Sequence, residues 1–141
     1  SSLLESLDAS HSVKVSPLAL DIKLDYVEGE LLPWKVHFPF NQWASITVYS
    51  QGKTNNVIDY LKKHPKAHLM IHSHADPIGD FHDNKELAAR RGQTVFAYII
   101  KNGINASRLT VNSYGSEAPL LKTKNVLMNV INRRVEFEVI H

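Results

Sequence analysis

An acid and a base lie in one short stretch of this chain, at a spacing that can bring them to a shared cleft. Asp76 follows a run in which polar and apolar residues alternate, and Arg91 falls on the apolar stripe of the periodic segment after it. A guanidinium at the edge of a core is costly unless it meets an anion, and its planar fork suits a carboxylate. Two interpretations stay open. The two side chains form an internal salt bridge, or they are held apart and bind a zwitterion, Asp76 taking the ammonium and Arg91 the carboxylate.

A strand and a helix are predicted to position these two residues. The alternation over residues 67–74 predicts a strand, which Pro77 and Gly79 end. A helix is predicted from near Asn84 to Asn102, with an Asp-x-x-Glu capping box before it and a glycine suited to a left-handed cap after it. Its inward stripe holds, besides Arg91, Leu87, Ala88, Val95, Tyr98 and Ile99. Arg90 lies on the outward row and is predicted to be a solvated surface residue.

The order of these residues resembles the signature of the OmpA-like peptidoglycan-binding domain. That family includes the C-terminal domain of OmpA, the peptidoglycan-associated lipoprotein and the periplasmic part of MotB. Its strand ends in Gly-His-Thr-Asp, a glycine follows in the turn, and its helix reads Asn-x-x-Leu-Ser-x-x-Arg-Ala. The matching residues in this region are His74, Asp76, Gly79, Asn84, Leu87 and Arg91. Further matches lie at residues 37–41, 103–104, Arg108, 114–115, Pro119 and 132–136, so the resemblance runs from Trp34 to residue 141.

Five positions depart from the family pattern. Asn41 stands where an acidic residue is frequent, and the other four lie in the strand and the helix, where Ser73, Ala75, Ala88 and Gly92 replace the family's Gly, Thr, Ser and Ala. None of these departures removes Asp76 or Arg91.

The resemblance implies a non-enzymatic domain that binds peptidoglycan through the diaminopimelate of the stem peptide. Asp76 would then bind the ammonium and Arg91 the carboxylate. The other residues expected in this site are Asn84, Asn41, Phe40 and Leu87. Phe40 has a second interpretation, simple packing in the core. One arginine of the Arg133-Arg134 pair is also expected near the cleft, and the sequence does not say which.

The resemblance further implies where the domain acts and with what. Its expected partners are the stem peptide, envelope proteins and, as an open alternative, a second copy of the chain in a homodimer. No cofactor and no nucleic acid are expected. We expect a periplasmic domain that is attached to the outer membrane or to an envelope complex through a segment outside this sequence.

Composition limits the alternatives. The chain has 141 residues, 43% of them hydrophobic, which is enough for one domain with a core. A net charge of +2, with both signs mixed along the chain, gives no basic block for nucleic acid. The absence of cysteine excludes disulfides, thiolate metal sites and a cysteine nucleophile. No apolar run approaches the roughly 20 residues of a membrane helix.

The remaining periodicities predict an α+β fold. The predicted order is βαβαββ, a mixed sheet with helices on one face, with one added strand at residues 18–26 in an N-terminal extension over residues 1–32. The domain proper is assigned to residues 33–141. Gly29 and Pro33 are predicted to form the turn before it, residues 34–40 its first strand, and a helix to lie within residues 44–63. Residues 108–114 and 134–139 complete the sheet, and the last strand is predicted to have one solvent-exposed face.

Two other functions remain open at this point. An OmpA-like domain can serve as a protein-interaction module of a secretion or motility machine without binding the wall. His72, His74 and Asp76 also form an H-x-H-x-D run, which resembles the metal ligands of metallo-β-lactamase-like hydrolases. Against that interpretation, Pro77 occupies the position where those enzymes have another histidine.

Overall fold

The computed structural model describes residues 26–78, 81–119 and 128–141. The predicted N-terminal strand and Gly79 therefore lie outside the described residues, apart from Tyr26 at the end of that strand. Of the two helices described, neither is long and apolar enough to cross a membrane.

Four strands and two helices make up the described part of the domain. The strands are β1 (Glu30–His37), β2 (His68–His74), β3 (Leu109–Gly115) and β4 (Arg134–Ile140), and the helices are α1 (Val48–Lys63) and α2 (Phe81–Lys101). The sheet order is β1-β4-β2-β3, with β2 and β3 parallel and the other pairs antiparallel. This mixed sheet confirms the predicted α+β class and the order βαβαββ.

Local sequence explains where α1 begins and ends. The Thr47 hydroxyl accepts a hydrogen bond from the Ser50 amide, as an N-cap residue does. Val57, Ile58 and Leu61 form its buried face. The helix ends before His64, because the residue that precedes a proline avoids helical geometry.

Helix α2 packs across β2 and β3, and most of its predicted inward stripe is buried, with Leu87 and Tyr98 only partly so. Ala88, Arg91, Val95 and Ile99 are all fully buried. Gly92 permits the close approach, because a Cβ atom there would lie 2.6 Å from Val111 Cγ1 and 2.9 Å from Ser73 Oγ. The departures at positions 73 and 92 therefore compensate one another in volume. The strand carries the larger residue and the helix the smaller one, the reverse of the family pattern.

Two predicted boundaries were wrong. Strand β1 begins at Glu30 and ends at His37, so Pro33 lies within it rather than in a turn before it. The pairing of β1 with β4 shifts register between Leu31 and Lys35, an irregularity that accommodates a residue with no N–H to donate. Helix α2 begins at Phe81, so the Asp83 capping box is not its start. Asp83 lies instead in the first turn, where a carboxylate is favoured by the helix dipole.

The solvent-exposed face predicted for β4 was also wrong. Its alternate polar residues Arg134, Glu136 and Glu138 are all 1% exposed or less. The reason is the position of β4 between β1 and β2, where polar side chains of the neighbouring strands meet these residues. Alternation along a strand separates two faces, but it does not determine whether the polar face reaches solvent.

Candidate functional site

Arg91 lies on the buried face of α2, against the end of β2. Its side chain is fully buried, with 0% exposure. Three backbone carbonyls accept from it: Nε donates to Gln42 O at 2.9 Å, Nη2 to Pro39 O at 3.2 Å and Nη1 to His74 O at 3.3 Å. The guanidinium carbon also lies 5.3 Å from the centre of the Phe38 ring. Arg91 is therefore rigidly held between the loop after β1 and the end of β2.

The carboxylate of Asp76, two residues beyond β2, pairs with Arg133. Asp76 Oδ2 accepts from Arg133 Nη1 at 3.0 Å, and Oδ1 accepts from the Ile78 amide at 3.2 Å. Arg133 Nε donates to Phe38 O at 3.0 Å. The direct Asp76–Arg91 salt bridge considered from the sequence is not formed. Arg133 is the arginine of the 133–134 pair that lies at the cleft.

Asp76, Arg91 and Arg133 form what we call the cleft cluster. All three residues are more than nine-tenths buried. Burial lowers the pKa of Arg91 to about 10; the charge of Asp76 opposes this change and that of Arg133 adds to it. The Arg91 guanidinium thus lies in the field of one carboxylate and of a second guanidinium. Such a group favours an additional negative charge nearby.

The four other predicted site residues differ in how deeply they are buried. Asn84 is 6% exposed, and its Nδ2 has no hydrogen-bond partner among the described residues. Leu87 is partly buried, and Asn41 is exposed with a left-handed φ of 60°, which asparagine tolerates. Both line a depression of about 180 Å³ at the rim. Phe40 is 47% exposed, so its interpretation as core packing was wrong.

A second group of polar residues, most of them buried, covers the opposite face of the sheet. Ser73 faces α2, so its neighbours His72 and His74 point away from the helix. Glu136 pairs with His72 in the β2–β4 register and shares that face. We call this group the sheet-face cluster: Tyr26, Lys35, His72, His74, Tyr114, Arg134, Glu136 and Glu138.

Glu136 is the centre of half of the sheet-face cluster. Its Oε1 accepts from Arg134 Nε at 2.9 Å and from the Tyr26 hydroxyl, which lies 3.0 Å from His74 Nε2. Lys35 Nζ lies 3.6 Å from Oε2. Burial alone would raise the pKa of Glu136, but its hydrogen bond with His74 and the charges of Arg134 and Lys35 hold it well below its usual range. Burial also lowers the pKa of His74 to about 4, so this imidazole is neutral at pH 7.

Glu138 organises the other half. Its Oε1 lies 2.7 Å from His72 Nε2, and its Oε2 accepts from the amides of Glu28 and Gly29. His72 Nδ1 lies 2.9 Å from the Tyr114 hydroxyl. A consistent assignment has His72 Nε2–H donating to the carboxylate and the hydroxyl donating to Nδ1. Burial, with the two glutamates nearby, raises the pKa of Tyr114 to about 12, which keeps that donor protonated.

The H-x-H-x-D run does not converge on one point. The carboxylate of Asp76 binds Arg133, whereas the imidazoles of His72 and His74 bind Glu138 and Tyr26. In the part of the chain that the structure describes, no three histidine or acidic residues are arranged to hold a metal ion.

Arg133 is the residue that sequence reasoning left undecided. It precedes β4 directly, and β4 pairs with both β1 and β2, so its side chain reaches Phe38 and Asp76 at once. The only sequence signal for this position was that Asn132-Arg133-Arg134 matches the closing part of the family pattern. That match could not separate Arg133 from Arg134, whose side chain enters the sheet-face cluster instead.

Relatives of known sequence match this chain over part of their length. Outer membrane porin F of Pseudomonas fluorescens is 27% identical over 126 residues, which cover 89% of this chain and 34% of the porin. The peptidoglycan-associated lipoprotein of Legionella pneumophila is 37% identical over 83 residues, 59% of this chain and 47% of the lipoprotein. The chain thus spans between a third and a half of the length of these two relatives.

Solved structures and a family model agree with the fold. The crystal structure of the peptidoglycan-associated lipoprotein from Burkholderia pseudomallei superposes with a TM-score of 0.70 at 24% identity, over 75% of this chain and 89% of that one. The C-terminal domain of Helicobacter pylori MotB gives 0.69 at 25% identity, over 76% and 84%. The model of the OmpA family matches residues 38–133, a range that contains β2, α2, β3 and all three residues of the cleft cluster. The chain therefore belongs to the OmpA family.

Proposed function

We propose that this chain binds peptidoglycan without covalent chemistry, through the diaminopimelate of the stem peptide. Asp76 binds the ammonium of that residue and Arg91 its carboxylate. Asn84, Asn41, Phe40 and Leu87 complete the site around them. Membership of the OmpA family and similarity to peptidoglycan-associated lipoproteins support this assignment.

The observation that carries the proposal is the charge balance of the cleft cluster. Asp76 already pairs with Arg133, and Arg91 is held by neutral carbonyls rather than by that carboxylate. No carboxylate of the described residues accepts a hydrogen bond from Arg91, so its positive charge is fully buried without a direct ion-pair partner among them. A buried charge is costly without a counter-charge, so the cluster favours an incoming anion. The buried Nδ2 of Asn84 offers a donor to the same ligand.

Binding requires the loop after β1 to give access to Arg91. The guanidinium is fully buried, and two of its three carbonyl partners belong to that loop. A guanidinium has five N–H donors, so the three carbonyls leave two of them for a ligand carboxylate. The exposed residues Phe40 and Asn41 move with the loop when the ligand reaches these donors.

Affinity from one such contact is modest, and many contacts make it useful. Hydrogen bonds to charged groups contribute about 1.5 to 3 kcal/mol each. A wall that presents many stem peptides adds avidity. We propose that the domain in this way anchors an outer-membrane or envelope complex to the cell wall in the periplasm.

A pull-down with insoluble peptidoglycan tests this function. Asp76→Asn removes the charge with little change in shape, and we expect at least a tenfold loss of bound protein, from about 1.5 to 3 kcal/mol. Arg91→Lys should bind equally poorly, because an ammonium cannot reproduce the planar fork. Asp59→Asn, at an exposed position on α1, is the matched control and should bind as the wild type does.

Thermal melts must accompany the pull-down, since Asp76 and Arg91 are both buried. A folded wild type that does not bind the wall overturns the proposal and favours the alternative, a protein-interaction module of a secretion or motility machine. Full binding by a folded Asp76→Asn variant contradicts the role of this carboxylate.

A further inference from the structure

A groove of about 630 Å³ runs along the outward face of α2 beside the loop after β1. Its lining includes the small residues Ala44, Ala89 and Ala97 and the polar residues Gln93 and Thr94. Trp43, which is 38% exposed, forms one wall. The groove thus combines one large aromatic surface with short side chains and hydrogen-bonding groups.

The aromatic wall is fixed in place from two sides. Thr94 Oγ1 donates to the Trp43 carbonyl at 2.6 Å, which ties the loop to α2. The Arg90 guanidinium lies 4.8 Å from the centre of the indole, and Arg90 is itself held by Glu86 at 2.8 Å. An aromatic surface that is already ordered loses little entropy when a ligand packs against it.

The groove is continuous with the proposed ligand site. Trp43, Glu86 and Arg90 line both the groove and the rim depression that contains Asn41 and Leu87. The residue before Trp43 is Gln42, whose carbonyl accepts from Arg91. Adjacent Cα atoms are 3.8 Å apart. The Trp43 wall of the groove therefore lies next to Gln42, a direct contact of the cleft cluster.

We propose that this groove binds a sugar ring of the glycan strand that carries the bound stem peptide. The inference rests on the proposed function, because it is the anchored peptide that brings the sugar to the groove. Each residue of an extended peptide spans about 3.3 to 3.6 Å, so a short part of the stem bridges the distance. The C–H face of the sugar packs on the outer face of Trp43, and Gln93 and the Glu86–Arg90 pair bind its hydroxyl and acylamino groups.

Calorimetric titration with two soluble probes tests the inference. One probe is the free stem peptide, and the other is the same peptide attached to its disaccharide. The wild type should bind the disaccharide peptide at least roughly fivefold more tightly, as expected for burial of an apolar sugar face on an indole. Trp43→Ala should abolish this preference.

A second variant covers the case in which loss of the indole disturbs the loop. Ala97→Arg fills the groove from an exposed helical position with a good helix former, and should also abolish the preference. Ala106→Arg is the matched control, because Ala106 is exposed just before β3, at the opposite end of the sheet from the cleft.

The outcomes separate the two proposals. Equal wild-type affinity for both probes overturns the sugar groove and leaves peptide binding intact. A preference that survives in both Trp43→Ala and Ala97→Arg also overturns it. Binding of neither probe by the folded wild type overturns the groove and the proposed function together.

Discussion

Two clusters of buried charge lie close together in this domain, and they differ in how their charges are balanced. In the sheet-face cluster the cations Arg134 and Lys35 both lie against Glu136, whereas Glu138 contacts His72 and accepts from two backbone amides. In the cleft cluster Asp76 pairs with Arg133, whereas Arg91 donates to three neutral carbonyls. Burial alone therefore does not separate a structural network from a binding site. A buried charge that has no direct ion-pair partner among the described residues does.

The largest expected effect comes from breaking the sheet-face cluster. Glu136→Gln keeps the shape of the side chain but leaves Arg134 and Lys35 near a neutral amide. Removing one partner of a buried ion pair costs about 3 to 5 kcal/mol, and we expect a loss of this size in the free energy of unfolding. Urea unfolding followed by circular dichroism measures it. A variant that unfolds like the wild type would show that the network contributes little.

Acid should weaken the same cluster through His74. The unfolded imidazole takes up a proton near pH 6.5, whereas the folded one does so only near pH 4. The contribution of neutral His74 to the free energy of unfolding is therefore complete above pH 6.5. It is lost as the pH decreases towards 4, by roughly 3 kcal/mol in all. Below about pH 4.5 the lowered pKa values of Glu136 and Glu138 add a loss of the same sign.

The contribution of His74 can be isolated by substitution. His74→Asn keeps a donor for Tyr26 but does not titrate, so its stability should change much less between pH 6.5 and 4.5 than that of the wild type. Urea titrations at four or five pH values give the slope. An unchanged slope in the variant would assign the acid sensitivity to another group.

The packing of α2 on the sheet tests buried contacts that involve no charge, in contrast to the two charged clusters. A Cβ atom at Gly92 would lie 2.6 Å from Val111 Cγ1, so Gly92→Ala forces a shift in a packed region and should cost about 1 to 3 kcal/mol. Adding Ser73→Gly removes the second close contact and should recover part of this loss. A double-mutant cycle measures the coupling, and strict additivity would contradict compensation between the two positions.

The smallest effect is expected at the surface. Lys85 and Glu117 form an ion pair at 3.3 Å with about half of each side chain exposed. Glu117→Gln should change the free energy of unfolding by about 0.5 kcal/mol or less, because solvent and salt screen such pairs. It is the same chemical change as Glu136→Gln. A similar loss in both variants would mean that burial is not what makes the sheet-face cluster sensitive.

Much of the fold could be predicted because it depends on local patterns. Strict alternation located β2, β3 and β4, and the three- and four-residue spacing placed Arg91 on the buried face of α2. What failed depends on pairing between distant segments. The burial of Glu136 follows from the central position of β4, and the choice of Arg133 as the partner of Asp76 follows from where β4 begins beside β1.

The central claim is that the buried guanidinium of Arg91 binds a carboxylate, and changing the ligand tests it without disturbing a buried arginine. Calorimetric titration of the wild type should compare a diaminopimelate stem peptide with the same peptide carrying an amide in place of the side-chain carboxylate. We expect the amidated peptide to bind at least tenfold more weakly, as the loss of about 1.5 to 3 kcal/mol from charged hydrogen bonds requires. Equal affinity for the two peptides would contradict the account.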